Sequence, residues 1–159
     1  MMKLFEADLT NAQHANAVVF LLNSYASSPE GGGKPLPDEV QENLANALQK
    51  RPEAVVVLAF EDEEPVGLVI CMEGFSTFSC KPLMNIHDVF VAATFRGQGV
   101  SRRLFERVED IAKARGCCKL TLEVLEGNQV AQAAYSKFGF SGYELDPQMG
   151  RALFWEKKL

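Results

Sequence analysis

The stretch NIHDVFVAATFRGQGVS, residues 85–101, is the most informative part of the sequence. The apolar residues up to Val91 predict a strand. After a short loop, Gly97 and Gly99 let the backbone turn tightly, and apolar residues then recur at helical spacing as far as Gly116. The sequence therefore predicts a strand that passes through a glycine-rich turn directly into a helix.

This turn has the properties of an anion-binding site. The first N–H groups of a helix have no partner within the helix, and the helix dipole adds partial positive charge there. Arg96 and Arg102 flank the turn and can form charge-assisted hydrogen bonds to phosphate. The pattern therefore predicts a cradle for a pyrophosphate. The residues of this predicted cradle are Gly97, Gln98, Gly99, Val100 and Ser101.

Two common phosphate-binding motifs do not fit this turn. A Walker A loop needs a lysine directly before its serine, but Val100 precedes Ser101. A dinucleotide fingerprint needs a third glycine where Arg102 stands. The basic residues in this region leave an alternative open, namely a solvated helix face on which bases pair with acids.

Outside this stretch, strands and helices are interspersed along the 159 residues. The predicted order is β-α-α-β-β-β-α-β-α-β-β, which indicates a mixed α/β domain around one central sheet. A chain of this length suits a single domain, residues 1–159. The predicted strands lie at 3–9, 53–60, 66–75, 84–91, 118–125, 141–145 and 152–157, and the helices at 10–25, 37–51, 99–116 and 128–138.

A second motif lies on the last predicted helix. Asn128, Ala131 and Tyr135 have the spacing i, i+3 and i+7, which places them on one helical face. Asn128 can cap the helix, and Gly139 is predicted to end it in a left-handed conformation with Phe140 packing back. Taken alone, a tyrosine at this position is more often a core aromatic residue whose hydroxyl finds a partner at the edge of the core.

Together, the two motifs resemble the GCN5-related N-acetyltransferases (GNAT family). Members of that family share a strand followed by Arg/Gln-x-x-Gly-x-Gly/Ala, and later Asn-x-x-Ala-x-x-x-Tyr before Gly-Phe. This chain has Arg96-x-x-Gly99-x-Ser101, in which Ser101 departs from the usual small residue, and the second motif as described above. The resemblance implies the acyl-CoA N-acyltransferase fold, a central mixed sheet flanked by about four helices.

The resemblance also implies roles for individual residues. The backbone of Phe90 and Val91 would pair with the pantetheine arm of acetyl-CoA, and the cradle would hold its pyrophosphate. Asn128 would face the same arm, with Ala131 keeping that helical face shallow. Tyr135 would protonate the departing thiolate. The implied reaction is transfer of an acetyl group from acetyl-CoA to a primary amine by direct attack in a ternary complex.

The group that deprotonates the amine is left open. Some relatives carry a glutamate where this chain has His87, which is followed by Asp88. A histidine titrates near neutral pH and suits a general base. Asp88 could instead hold the ammonium group of the acceptor, or water could carry the proton.

Composition narrows the remaining classes. The formal net charge of −5 argues against nucleic acid or an anionic membrane as the main partner. The four cysteines and two histidines lack metal-ligand spacing, so we expect no metal. Reduced thiols and the lack of a signal-peptide pattern predict a cytoplasmic protein.

Three functions remain open, namely acetylation of a small amine, acetylation of a protein N-terminus or lysine, and non-catalytic binding of acyl-CoA. Because homodimers are common in the GNAT family, the resemblance adds a homodimer as an expectation. Nothing in the sequence locates its interface.

Overall fold

The computed structural model describes residues 1–159, which form two compact units, Met1–Leu122 and Glu123–Leu159. The prediction of a single domain over residues 1–159 stays a prediction. No helix is both long enough and apolar enough to span a membrane.

The first unit contains five strands and three helices. Its chain runs through β1 (Met2–Glu6), α1 (Ala12–Ser27), α2 (Asp38–Gln49), β2 (Ala54–Glu61), β3 (Glu64–Ser76), β4 (Lys81–Val91), α3 (Val100–Ala114) and β5 (Leu120–Leu122), with short 3-10 turns at Pro29–Gly31 and Ala93–Phe95. The strands lie side by side in the order β1-β2-β3-β4-β5. Neighbouring strands are antiparallel except β4 and β5, which are parallel. With a fourth helix in the second unit, the predicted mixed sheet with about four helices is confirmed.

Side chains alternate along each strand and so point to both faces of the sheet. Helix α1 covers one face and α3 covers the other. One face carries Leu58, Leu68 and Ile70, which pack against Val18 and Leu21 of α1. On the other face, an added Cβ at Gly67 would lie 3.0 Å from Leu104 Cδ1 and 3.2 Å from Val100 Cγ1. Gly67 therefore allows α3 to pack directly on β3.

A β-bulge in β4 shapes the end of the sheet. Ile70 pairs with Asp88 and the next residue, Cys71, pairs with Ile86, so His87 is the extra residue on β4. Bulges bend a strand and disrupt its ladder. Strand β5 pairs with β4 only from Met84 to Ile86, directly before the bulge. The predicted strand at 118–125 is therefore shortened to three residues, and β4 continues beyond its partner.

The second unit contains α4 (Gln129–Phe138) and the segment that follows it. The strands predicted at 141–145 and 152–157 are wrong. Between these segments the structure has one backbone hydrogen bond, from Ala152 N to Tyr143 O at 3.3 Å, and no ladder. An isolated two-stranded hairpin is only marginally stable, so alternating apolar residues alone do not produce strands here.

Candidate active site

The backbone at the start of α3 forms an open turn. Gly97 and Gly99 have φ angles of 75° and 77°, a conformation that favours glycine. A Cβ built at either position would meet no heavy atom within 4 Å. Gly99 is the N-cap of α3, no side chain caps the helix, and its first turn contains no acid. The start of α3 therefore has space beside both glycines and no side-chain cap on its first N–H groups, as the anion-binding prediction requires.

Two side chains of the turn have partners within the protein. Arg96 Nε donates to Val91 O at 3.0 Å, and its guanidinium carbon lies 5.9 Å from the centre of the Phe90 ring. Gln98 Nε2 donates to Thr94 O at 3.0 Å, so it braces the turn. These contacts tie the glycine turn to the end of β4.

Arg102 is directed along α3. Its Nε donates to Glu106 Oε1 at 2.9 Å, an exposed i,i+4 pair of the kind expected on a solvated helix face. Ser101 is half-buried beside it, and Val100 is buried in the core. Val100 therefore anchors the turn through its side chain and can offer a ligand only its backbone.

The last residues of β4 present backbone groups on the side opposite β3. Ala92 N donates to Val66 O at 2.9 Å, so Ala92 faces β3. In an antiparallel strand, the backbone N–H and C=O groups of successive residues point to opposite sides. The backbone groups of Phe90 therefore also point to β3, whereas those of Val89 and Val91 point away from it. Strand β5 ends before reaching them. The sequence pattern did not single out Val89, because the side to which its backbone points depends on strand pairing.

The two candidate site residues at the bulge of β4, His87 and Asp88, have different environments. His87 is the exposed bulge residue. Asp88 is half-buried, and burial raises the pKa of its carboxyl above its ordinary value of 3.8, with His87 acting weakly in the opposite sense. No lysine or arginine forms an ion pair with Asp88. A half-buried carboxylate without a cation is a natural site for an ammonium group.

Tyr25, near the end of α1, lies close to Asp88. Its ring centre is 6.0 Å from that of Phe90. Burial raises the pKa of the Tyr25 phenol, and the negative charges of Asp88 and Glu30 raise it further. Tyr25 lies at the end of the helix predicted at 10–25, and no sequence motif marks it as a site residue.

The motif on α4 forms a group of its own in the second unit. Asn128 Oδ1 accepts a hydrogen bond from Ala131 N at 3.1 Å, which leaves the side-chain amide N–H groups free of the cap. Asn128, Ala131 and Tyr135 are half-buried, whereas most residues between them are exposed. The face of α4 that these three residues share is therefore less exposed to solvent than most of the helix.

The end of α4 fixes Tyr135. Gly139 has a φ angle of 112° and Phe140 N donates to Tyr135 O at 3.0 Å, the predicted left-handed cap. The Tyr135 and Phe140 rings meet edge to face, with centres 6.1 Å apart. The cap thus holds Tyr135 through both its backbone and its ring.

Comparison with known proteins identifies a family match. The sequence model of the Acetyltransferase (GNAT) family matches residues 18–140. A thialysine N-epsilon-acetyltransferase of Caenorhabditis elegans is 27% identical over 137 residues, covering 84% of this chain and 81% of that protein. An uncharacterized N-acetyltransferase of Bacillus subtilis is 30% identical over 105 residues, covering 66% of this chain and 68% of that protein.

Solved structures show the same fold. An aminoglycoside N-acetyltransferase in complex with CoA superposes with a TM-score of 0.78 at 18% identity, covering 100% of this chain and 96% of that one. An aminoglycoside acetyltransferase from an uncultured soil metagenomic sample superposes with a TM-score of 0.80 at 16% identity, covering 99% and 96%.

Proposed function

The chain belongs to the acetyltransferase (GNAT) family, and from that premise we propose that it transfers an acetyl group from acetyl-CoA to the primary amine of a small molecule. The observation that carries this proposal is the open glycine turn at the start of α3, set beside the unpaired end of β4. The turn suits a pyrophosphate, and the strand end suits the amide groups of a pantetheine arm.

The residues present fit acetyl-CoA. The backbone N–H groups of Gly97–Ser101 would hold its pyrophosphate, because no side chain caps α3 and a Cβ built at either glycine would meet no heavy atom within 4 Å. Arg96 supplies positive charge at the edge of the turn. Arg102 contributes to the local positive field while it pairs with Glu106. When bound, acetyl-CoA supplies an activated acyl group and a thiolate leaving group.

The end of β4 would bind the pantetheine arm as an added strand. Val91 N–H and the backbone groups of Val89 face the side that β5 leaves open. Val91 C=O is engaged by Arg96. The backbone groups of Phe90 point to β3, so they would not pair with the arm as the resemblance implies. The ring of Phe90 lies under Arg96 and beside Tyr25.

Asp88 would bind the acceptor amine. An alkylammonium with a pKa near 10.4 costs roughly 4–5 kcal/mol to deprotonate at neutral pH, so a nearby base or water must take the proton. Asp88 offers an unpaired, half-buried carboxylate to hold the amine. The exposed imidazole of His87, on the adjacent bulge, can pass the proton to solvent.

Tyr135 would donate a proton to the departing thiolate, and the free amide N–H of Asn128 would bind the pantetheine arm above the shallow surface at Ala131. The α4 cap and the contact with Phe140 support these roles, because they hold the phenol in a defined orientation. A positioned proton donor contributes about 10²- to 10⁴-fold to a rate.

A small acceptor is favoured over a protein by the named relatives. Thialysine, streptothricin and glucosamine 6-phosphate acetyltransferases, to which this chain is 26–40% identical over the aligned parts, carry small molecules in their names. Acetylation of proteins and non-catalytic acyl-CoA binding are outcomes that the following test distinguishes. A homodimer stays a prediction.

The test follows thiol release from acetyl-CoA with a panel of small amines and a lysine peptide. Tyr135→Phe should lower kcat by roughly 100-fold with little change in the KM for acetyl-CoA, because it keeps the ring and removes the proton. Tyr143→Phe in the same unit is the matched control and should not change kcat. Turnover with the peptide alone would favour protein acetylation. Binding of acetyl-CoA without any turnover would leave a non-catalytic module.

A further inference from the structure

The wall of the acceptor site contains an aromatic residue with no assigned role. Tyr25 lies in the last turns of α1, whose end is fixed because Ser28 N and Ser28 Oγ both donate to Tyr25 O, at 3.0 and 2.6 Å. Its ring packs at 43° against Phe90, with centres 6.0 Å apart. Tyr25 is therefore held rigidly beside the strand that carries Asp88.

The charges around Tyr25 are unevenly balanced. The pKa of the Glu30 carboxyl is lowered mainly by hydrogen bonds from the Glu30 backbone N–H and from the Ser28 side chain. The guanidinium of Arg96 is near enough to lower it further. Arg96 also lies over the ring of Phe90. Glu30 and Arg96 thus place both signs of charge near each other. Asp88, in contrast, forms no ion pair with a lysine or arginine.

This arrangement matches the requirements of an alkylammonium ion. Such a group gains from a carboxylate on one side and from the face of an aromatic ring on the other. Phe90 already faces the guanidinium of Arg96. The ring of Tyr25 packs against Phe90, and Asp88 lies two residues before Phe90 on the same face of β4, so Tyr25 offers the second aromatic ring beside that carboxylate.

We propose that Tyr25 is the specificity-determining residue of the acceptor site, and that it receives a primary alkylammonium between its ring and the Asp88 carboxylate. This proposal rests on the proposed acetyltransferase function. It assigns Tyr25 to recognition of the positive charge, so its effect falls on acceptor binding and not on the chemical step.

The experiment measures acetylation of n-hexylamine, with 1-hexanol as the uncharged competitor. Tyr25→Phe keeps the aromatic face and should leave the KM for hexylamine within about twofold. Tyr25→Leu removes the face and should raise that KM roughly tenfold, with kcat nearly unchanged. The inhibition constant of 1-hexanol should stay constant, because leucine preserves the apolar contact. Phe20→Leu removes an exposed aromatic residue from the same helix and is the matched control.

Three outcomes decide between the proposals. A Tyr25→Leu protein that loses hexylamine and hexanol equally, or loses neither, overturns the role of Tyr25 in recognising charge. A wild-type protein that binds acetyl-CoA and acetylates other amines but no alkylamine overturns it as well. A wild-type protein that binds no acetyl-CoA overturns the proposed function itself, and calorimetry with acetyl-CoA separates this failure from the others.

Discussion

Ala92 N donates a hydrogen bond to Val66 O at 2.9 Å, and this bond fixes the direction in which the end of β4 faces. From it, the alternation of an antiparallel pair turns the N–H of Phe90 toward β3 and the N–H of Val91 toward the open side. The backbone N–H groups of these two neighbouring apolar residues thus point in opposite directions.

Substitution by proline separates these two roles. Val91→Pro removes an N–H that no strand uses, so it should cost about 1 kcal/mol of folding free energy or less and weaken acetyl-CoA binding roughly tenfold. Phe90→Pro removes a ladder donor and buried ring contacts, so it should destabilise by about 3 kcal/mol or more. Urea unfolding and calorimetry measure both effects. An unchanged affinity in a folded Val91→Pro protein would remove β4 from the binding site.

Gly67 determines how closely α3 approaches the sheet. Gly67→Ala places a methyl group 3.0 Å from Leu104 Cδ1 and 3.2 Å from Ala59 Cβ, so it should destabilise by about 1–3 kcal/mol. Gly74→Ala on the same strand is the control, because its nearest neighbour, Leu83 Cδ1, lies at 3.4 Å. Equal stability of the two variants in urea would contradict this account of α3 packing.

The Asp88 carboxylate is expected to lower the stability of the folded protein at neutral pH while it binds the acceptor amine. Burial raises the pKa of its carboxyl in the folded state, so its contribution to stability is greatest below its ordinary pKa of 3.8 and is lost as the pH rises through the folded value. Asp88→Asn should therefore be more stable than wild type at neutral pH, with the advantage shrinking toward pH 3.8. It should also turn over amines more slowly. Stability curves that run parallel at every pH would show that Asp88 is not desolvated.

Asn128 combines a cap and a predicted contact with the cofactor. Asn128→Asp keeps the oxygen that accepts from Ala131 N but loses the amide donor, so it should keep the stability of wild type and weaken acetyl-CoA binding. Asn128→Ala loses the cap as well and should cost about 1 kcal/mol. The pair is measured by thermal unfolding and calorimetry. If Asn128→Asp binds acetyl-CoA as tightly as wild type, Asn128 is a structural cap only.

The candidate site residues that could be predicted from the sequence are those whose arrangement depends on local chemistry. The glycines before α3, the spacing along α4 and the cap at Gly139 all act within a few residues, so their patterns can be read directly. The side to which Val89 and Val91 point depends on the bulge at His87, and one inserted residue reverses the orientation of all that follow.

Long-range packing explains the other differences. Tyr25 has the spacing of a core residue on α1, and only the folded chain brings its ring beside Phe90 and Asp88, more than 60 positions away. The segments at 141–145 and 152–157 have the apolar residues of strands, but a strand also requires a partner ladder, which the pattern of one segment does not supply.

Calorimetry on two matched variants measures whether the glycine turn before α3 binds acetyl-CoA. Gly99→Asp and Gly116→Asp introduce the same charge at φ angles of 77° and 76°, in both cases into open space, and aspartate tolerates this conformation. We predict micromolar binding to wild type and to Gly116→Asp, and a loss of at least about 100-fold in Gly99→Asp, where the charge would face the pyrophosphate. Equal affinity in all three proteins, each folded, would contradict the account.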